Sequence, residues 1–273
     1  MAETIRYTID DLLILMSRLR DPADGCPWDL QQTYRTIAPS TLEEAYEVVD
    51  AIERENYEHL REELGDLLFQ VIFYAQLAAE EQRFDFSGIV SDLVAKLIRR
   101  HPHVFPAQTL DSRAGDMGSE STEALKVQWE ALKQEERNAK GQQGILDDVP
   151  LSLPALTRAA KLQKRAANVG FDWSSAAGVL DKLDEEVTEL KQAVAALDNS
   201  AIAAELGDVL FVVVNLCRHL KVEPEGALRG TNSKFEARFR YIEQHLSARG
   251  LTPETASLEL MDELWDTAKR EGL

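Results

Sequence analysis

The sequence predicts an all-α fold built twice in tandem. Apolar residues recur at helical spacing, with no strand-like alternation over any useful length. Breakers are few, 14 Gly and 9 Pro in 273 residues, so long stretches can run as helix. Two acidic motifs also recur in one register in both halves of the chain.

The repeat sets the domain organisation. Leu42-Glu43-Glu44-Ala45-Tyr46-Glu47 answers to Asp184-Glu185-Glu186-Val187-Thr188-Glu189, and Glu63-Leu64-Gly65-Asp66 answers to Glu205-Leu206-Gly207-Asp208. Both pairs keep an offset of 142 residues (44 to 186, 66 to 208). Lys96 and Arg100 answer to Lys234 and Arg238, Trp129 and Lys133 to Trp265 and Lys269, and Trp28-Asp29 to Phe171-Asp172. Two separated motifs holding one offset mark a duplication, with domains at 1–140 and 145–273. A polar stretch with two Gly and a closing Pro lies at the boundary, within 138–150.

Within each half the local signals are helical. Ser40-x-x-Glu43 and Thr41-x-x-Glu44 match capping boxes and predict a helix start near residue 41. Asn56 and Asp198-Asn199-Ser200 stand where the next helix of each half begins. Leu60, Leu64, Leu67, Leu68 and Val71 form one apolar stripe; Ile202, Leu206, Val209, Leu210 and Val213 form its counterpart. Pro106 to Ser121, rich in Ser, Gly and Asp without apolar period, reads as a loop.

Composition removes several function classes. A formal net charge of −18 repels a polyanionic backbone, arguing against a nucleic-acid polymer as partner, and it disfavours docking on anionic lipid. Cys26 and Cys217 stand in unrelated contexts, which suits a reducing compartment. The first residues lack an apolar signal core, and the strongest apolar run, Val209 to Val214, is short for a bilayer. A cytoplasmic protein without a membrane segment is expected. Its amphipathic helices predict a homodimer.

The acids carry the chemistry. Residues three apart share a helix face, so Glu44 and Glu47 project together, as do Glu63 and Asp66. Antiparallel packing of the two helices brings four carboxylates together, and Glu186, Glu189, Glu205 and Asp208 repeat the set. Like charges at that spacing repel unless a cation offsets them. Oxygen-only donors select a hard ion, Mg²⁺ first with Mn²⁺ as a substitute. Gly65 and Gly207 sit mid-helix between the acids, where close approach of a ligand or helix, or a packing notch, would account for them. The five histidines show no spacing with the acids, and neither half has the Glu-x-x-His pair of a di-iron bundle.

These motifs resemble the MazG nucleoside triphosphate pyrophosphohydrolases. Asp24-Gly25-Cys26-Pro27-Trp28-Asp29, Arg99-Arg100-His101-Pro102-His103-Val104-Phe105 and Lys164-Arg165-Ala166-Ala167-Asn168-Val169-Gly170-Phe171-Asp172-Trp173 extend the resemblance over nearly the whole chain. It implies two tandem all-α NTP pyrophosphatase domains, usually dimeric, converting an NTP or dNTP to the monophosphate and pyrophosphate with Mg²⁺. Glu186, Glu189, Glu205 and Asp208 match the metal-binding pattern, with Glu44, Glu47, Glu63 and Asp66 as the first-half equivalents. Lys234, Arg238, Trp265 and Lys269 match positions expected to contact nucleotide, with Lys96, Arg100, Trp129 and Lys133 as their counterparts.

On physical grounds Glu185 and Glu186 are the candidates to take the proton of the attacking water. Lys182, one turn before Glu186, suits a phosphate; the matching first-half residue is Ser40, and the first half carries Asp50 where the second has Gln192. The second half is therefore expected to hold the main catalytic site. Two other readings remain: a regulatory protein that holds nucleotide and metal without turnover, and a hydrolase restricted to deoxynucleotides such as dUTP.

Overall fold

The computed structural model describes residues 6–113, 125, 128, 129 and 144–273. Among them there is no strand, and the ordered elements are helices. The chain divides into two compact units, Met1–Leu132 and Lys133–Leu273.

The first unit contains α1 (Ile9–Leu19), α2 (Pro27–Leu30), α3 (Tyr34–Glu53), α4 (Tyr57–Glu80) and α5 (Phe86–Arg100). Thr8 opens α1 through a reciprocal box with Asp11, whose carboxylate accepts from the Thr8 N–H at 2.8 Å. Thr33 opens α3 by accepting from the Thr36 N–H at 3.3 Å, about two turns earlier than the capping pattern at 40–44 suggested. Thr41 lies inside the helix; its hydroxyl bonds back to the Ile37 carbonyl at 3.2 Å and pairs with the Tyr74 hydroxyl at 2.7 Å. The earlier start also takes in Pro39, a residue that argues against helix from sequence.

Asn56 caps α4 as expected, accepting from the His59 N–H at 3.2 Å. The short α3–α4 connection passes through Glu55 in the left-handed region, φ 54°. Met16, Ile37, Ile72, Phe73 and Leu77 form the core of this unit. Arg20, almost fully buried, holds Glu80 through two bonds of 2.9 and 2.7 Å, donates to the Asp29 carbonyl, and lies over the Phe73 ring. That single residue ties α1, α2 and α4 together.

The second unit contains α6 (Ala155–Ala167), α7 (Ala176–Ala196), α8 (Asn199–His219), α9 (Pro224–Ser247) and α10 (Leu258–Arg270). Asp198 caps α8 by accepting from Ser200 and Ala201 at 3.0 and 3.1 Å. The α7–α8 connection passes through Leu197 with φ 56°, the residue 142 positions after Glu55. The duplication therefore extends to a left-handed turn residue that no glycine supplies in either half, a conformation that costs roughly 1–2 kcal/mol.

Ile242, Leu246 and Leu264 form a core cluster between α9 and α10, with Phe239, Tyr241 and Trp265 against it. Gln163 of α6 donates to the Phe211 carbonyl of α8 at 2.7 Å. The two Asp residues of the aromatic-Asp pairs differ: Asp29 is buried in α2, whereas Asp172 binds Arg218 and, at 3.1 Å, His219. One described helix, Asn199–His219, is long and apolar enough to cross a membrane, although its contiguous apolar run is short. It packs against α6 and α7 and carries two of the clustered acids.

Candidate functional site

Helix pairing creates the site. In the first unit α3 and α4 pack along each other, and in the second α7 and α8 do the same. Glu44 comes from α3, with Glu63 and Asp66 from α4, and one carboxylate oxygen of each lies within 4.8 Å of the others. Glu186 of α7 with Glu205 and Asp208 of α8 repeats the trio at the same separation. The expected fourth acids stand beside these groups rather than within them. Glu47 is exposed and hydrogen-bonds Glu63, and Glu189 is exposed and acts on Glu205 through its charge.

The electrostatics are those of crowded anions. Burial pushes the Glu44 carboxyl above its ordinary value, and the charges of Asp66, Glu47 and Glu63 push it further. Burial also raises Glu63, helped by Glu47 and opposed by His59. Glu205 is raised by burial and by Glu189, Asp208 and Glu186, with Lys182 opposing. Three oxygen donors per unit, carrying more negative charge than the one basic side chain beside them offsets, fit a hard divalent cation.

Each unit keeps one basic side chain beside its most buried acid, and the two differ. In the second unit Glu186 is 6% exposed and Lys182 Nζ lies 2.8 Å from it, with Glu185 also at 2.8 Å. Those bonds raise the Lys182 ammonium above its ordinary value. In the first unit the buried acid is Glu63, on the other helix of the pair, and His59 Nε2 stands 2.9 Å away. The expectation that no histidine is spaced with the acids is therefore wrong at His59. The i to i+4 relation on α4 was present in the sequence; a search confined to Glu-x-x-His spacing passes over it.

The basic and aromatic candidates of the second unit stand on α9 and α10 rather than on the helix pair that carries the acids. Arg238 on α9 lies with its guanidinium 5.3 Å from the centre of the Trp265 ring and donates to the Leu273 carbonyl at 2.7 Å. Trp265 is half-buried, its ring 5.3 Å from Phe235. Lys234 and Lys269 are exposed. In the first unit Lys96 and Arg100 are half-buried on α5 and Trp129 is exposed on a helical segment; Lys133 lies outside the described residues. Gly65 and Gly207 are exposed, and a Cβ on either would meet nothing within 4 Å. No packing notch among the described residues accounts for them.

Two all-α units, each with a carboxylate trio held between paired helices, define a duplicated helical protein with a candidate cation site per unit. A family model described as "MazG nucleotide pyrophosphohydrolase domain" matches residues 32–105 and again 175–242, enclosing both trios. The chain belongs to this family, present twice. It is 52% identical over 269 residues to the nucleoside triphosphate pyrophosphohydrolase of Escherichia coli K12, covering 97% of this chain and 98% of that one. It is 41% identical over 260 residues, 95% of each chain, to a Thermotoga maritima protein named nucleoside triphosphate pyrophosphohydrolase/pyrophosphatase MazG. A nucleoside triphosphate pyrophosphohydrolase of Mycolicibacterium smegmatis is 35% identical over 163 residues, 59% of this chain and 46% of that one.

Proposed function

We propose that this protein is a divalent-metal-dependent nucleoside triphosphate pyrophosphohydrolase acting in nucleotide-pool control, with its main catalytic site in the second unit. The observation that carries the reading is Lys182 beside the Glu186, Glu205 and Asp208 trio, inside a match to a nucleotide pyrophosphohydrolase family. Near-full-length relatives bearing that activity in their names support it.

Glu186, Glu189, Glu205 and Asp208 would hold Mg²⁺, or Mn²⁺ in its place; Glu44, Glu47, Glu63 and Asp66 are the equivalent set in the first unit. Bound there, the ion neutralises phosphate oxygens and lowers the pKa of water. The reaction joins a water oxygen to the α-phosphorus and breaks its bond to the α–β bridging oxygen, releasing pyrophosphate. Glu185, exposed and next to the trio, is the acceptor for the water proton, with Glu186 as the alternative. Lys182 turns from these carboxylates toward the phosphates. Lys234, Arg238 and Lys269 add positive charge for the phosphate chain, and Trp265 with Arg238 offers a flat face for the base. Lys96, Arg100, Trp129 and Lys133 would contact nucleotide in the first unit.

The protein acts as a homodimer in the cytoplasm. Leu64, Leu68 and Val71 on α4 and Leu206, Leu210 and Val213 on α8, equivalent positions 142 residues apart, remain exposed. Apolar faces of this kind are buried against a partner. Light scattering that gives one chain mass at all concentrations would remove the dimer from the proposal.

The first unit supports a second reading for itself alone. Ser40 stands where Lys182 does, so this unit binds nucleotide and metal without turnover. Product analysis separates the possibilities. With NTPs, dNTPs and Mg²⁺, monophosphate and pyrophosphate are expected from wild type and Glu47→Ala and lost in Glu189→Ala. Release of orthophosphate and NDP, or absence of turnover, would overturn the reaction; turnover of dUTP alone would narrow it to a deoxynucleotide hydrolase.

A further inference from the structure

The two units share their carboxylates but not the wall beside them. Glu63, Asp66, Gln70 and Tyr74 fall within an arc of about 80° on α4, forming one stripe. Both ends of that stripe reach α3: Asp66 is grouped with Glu44, and the Tyr74 hydroxyl pairs with the Thr41 hydroxyl at 2.7 Å. Gln70 lies one turn beyond Asp66 and one turn before Tyr74, so it faces α3 between those two contacts. In the second unit the residues 142 positions after Thr41, Gln70 and Tyr74 are Leu183, Val212 and Leu216, all apolar.

Gln70 is only 6% exposed, and its side-chain carbonyl oxygen, shielded from solvent, meets no donor among the described residues. A buried acceptor in that state lowers stability unless a donor reaches it. Packing of the helix pair does not require an amide here, since Val212 fills the equivalent place, also buried. The donor must be small, because the oxygen is enclosed. A water carried by a cation is such a donor. Four residues of helix rise about 6 Å, and a path from carboxylate through ion and bound water to an acceptor spans up to about 7 Å.

We propose that Gln70 accepts a hydrogen bond from a water carried by Mg²⁺ on Glu44, Glu63 and Asp66, so that the first unit holds a hydrated ion without nucleotide. Mg²⁺ sheds water reluctantly and keeps several waters when bound, whereas Ca²⁺ takes more protein oxygens directly. An acceptor placed for a bound water therefore selects Mg²⁺ over Ca²⁺. The second unit has the Val212 side chain in that place and Lys182 beside Glu186, and nucleotide phosphates complete the shell of its ion. This rests on the metal-site reading of the carboxylate trios given above.

The test uses the full chain with the second site silenced by Glu186→Gln and Asp208→Asn, titrated calorimetrically with Mg²⁺ or Ca²⁺ alone. Gln70→Met removes the acceptor at similar side-chain length, and Thr41→Val removes a neighbouring hydroxyl that already has a partner. The expected result is Mg²⁺ binding to the parent and binding about tenfold or more weaker in Gln70→Met. Ca²⁺ affinity in that variant, and Mg²⁺ affinity in Thr41→Val, should change less than about twofold. Melting in chelator at or above the parent's temperature marks Gln70→Met as intact; if it melts lower, Gln70→Val, the second unit's own residue, takes its place. Equal Mg²⁺ affinity with and without the Gln70 amide would overturn its role and leave the carboxylate site standing. So would an equal loss of Mg²⁺ and Ca²⁺ affinity. A parent that binds no Mg²⁺ would overturn both the role of Gln70 and the metal-site reading of the first unit.

Discussion

Lys182 Nζ lies 2.8 Å from a carboxylate oxygen of Glu186, one helical turn further along α7, in a unit where Glu186 is the buried acid. The ammonium is thus the resident counter-ion of a carboxylate that also faces the candidate cation position. A cation and a divalent metal beside the same carboxylate repel each other, and two unit charges 4 Å apart already interact by about 1 kcal/mol in water.

Replacing Lys182 by Met should therefore have opposite effects on metal and on turnover. Without metal the variant melts lower, because Glu186 loses its partner. With Mg²⁺ or Mn²⁺ it regains more stability than wild type does, and metal binds about tenfold tighter. Turnover falls by about a hundredfold, since the phosphates lose a cation. Thermal melts in chelator and in metal, with steady-state kinetics, check all three outcomes. Unchanged metal affinity would show that Lys182 does not compete.

The raised carboxyls make stability depend on pH in a defined direction. Glu44, Glu63 and Glu205 all bind a proton more readily folded than unfolded. Each adds stability in full below the ordinary value of 4.5, and that contribution disappears as pH rises through the folded value. The lowered Asp172 carboxyl acts the other way, but its contribution is lost only as pH falls below 3.8, outside this window. Metal-free protein should therefore melt higher as pH drops from neutrality toward 4.5. Saturating Mg²⁺ should reverse the slope, because the ion binds carboxylates and not carboxylic acids. Glu44→Gln should raise the neutral-pH melting temperature by about 2 °C in chelator and flatten the profile. Calorimetry across the pH range, with and without Mg²⁺, reads both effects.

Much of this was legible in the sequence because the signal was periodic and duplicated. The 142-residue offset located both carboxylate groups, and three-residue spacing put Glu63 beside Asp66 and Glu205 near Asp208. Asn56 and Asp198 declared their helices through their own side chains. The start of α3 was not legible, because Ser40 and Thr41 mimic a cap while the true one, Thr33, pairs with a threonine rather than a glutamate. Pro39 added a false breaker, tolerated a turn and a half into the helix. Burial was not legible either. Spacing alone makes the four acids of each half equal, and tertiary packing decides that Glu63 is the buried one in the first unit and Glu186 in the second.

Trp265 shows how a candidate ligand-binding aromatic also serves the fold. It packs on the α9–α10 cluster and lies against Phe235 and beneath Arg238. Trp265→Ala should cost about 2–4 kcal/mol in urea unfolding, whereas Trp265→Phe, which keeps a ring at the contact, should cost less than about 1.5 kcal/mol. If the indole also stacks on the base, Trp265→Phe will raise KM several-fold while leaving kcat unchanged. Equal kinetics for Trp265→Phe and wild type would confine the residue to packing.

Gly207 separates stability from function most cleanly. Glycine inside a helix costs roughly 1 kcal/mol relative to alanine, and a Cβ here meets nothing within 4 Å. Gly207→Ala should therefore stabilise the second unit by about 0.5–1 kcal/mol. The residue lies between Glu205 and Asp208, so a methyl group would stand beside the proposed catalytic site. The expected outcome is a chain more resistant to denaturant and at least about tenfold poorer in kcat/KM. Gly65→Ala, its equivalent in the first unit, should give a similar gain in stability while hydrolysis is retained, because the proposed catalytic site lies in the second unit. If Gly207→Ala were both more stable and fully active, nothing would approach that face during catalysis. If Gly65→Ala abolished activity, turnover would have to be assigned to the first unit.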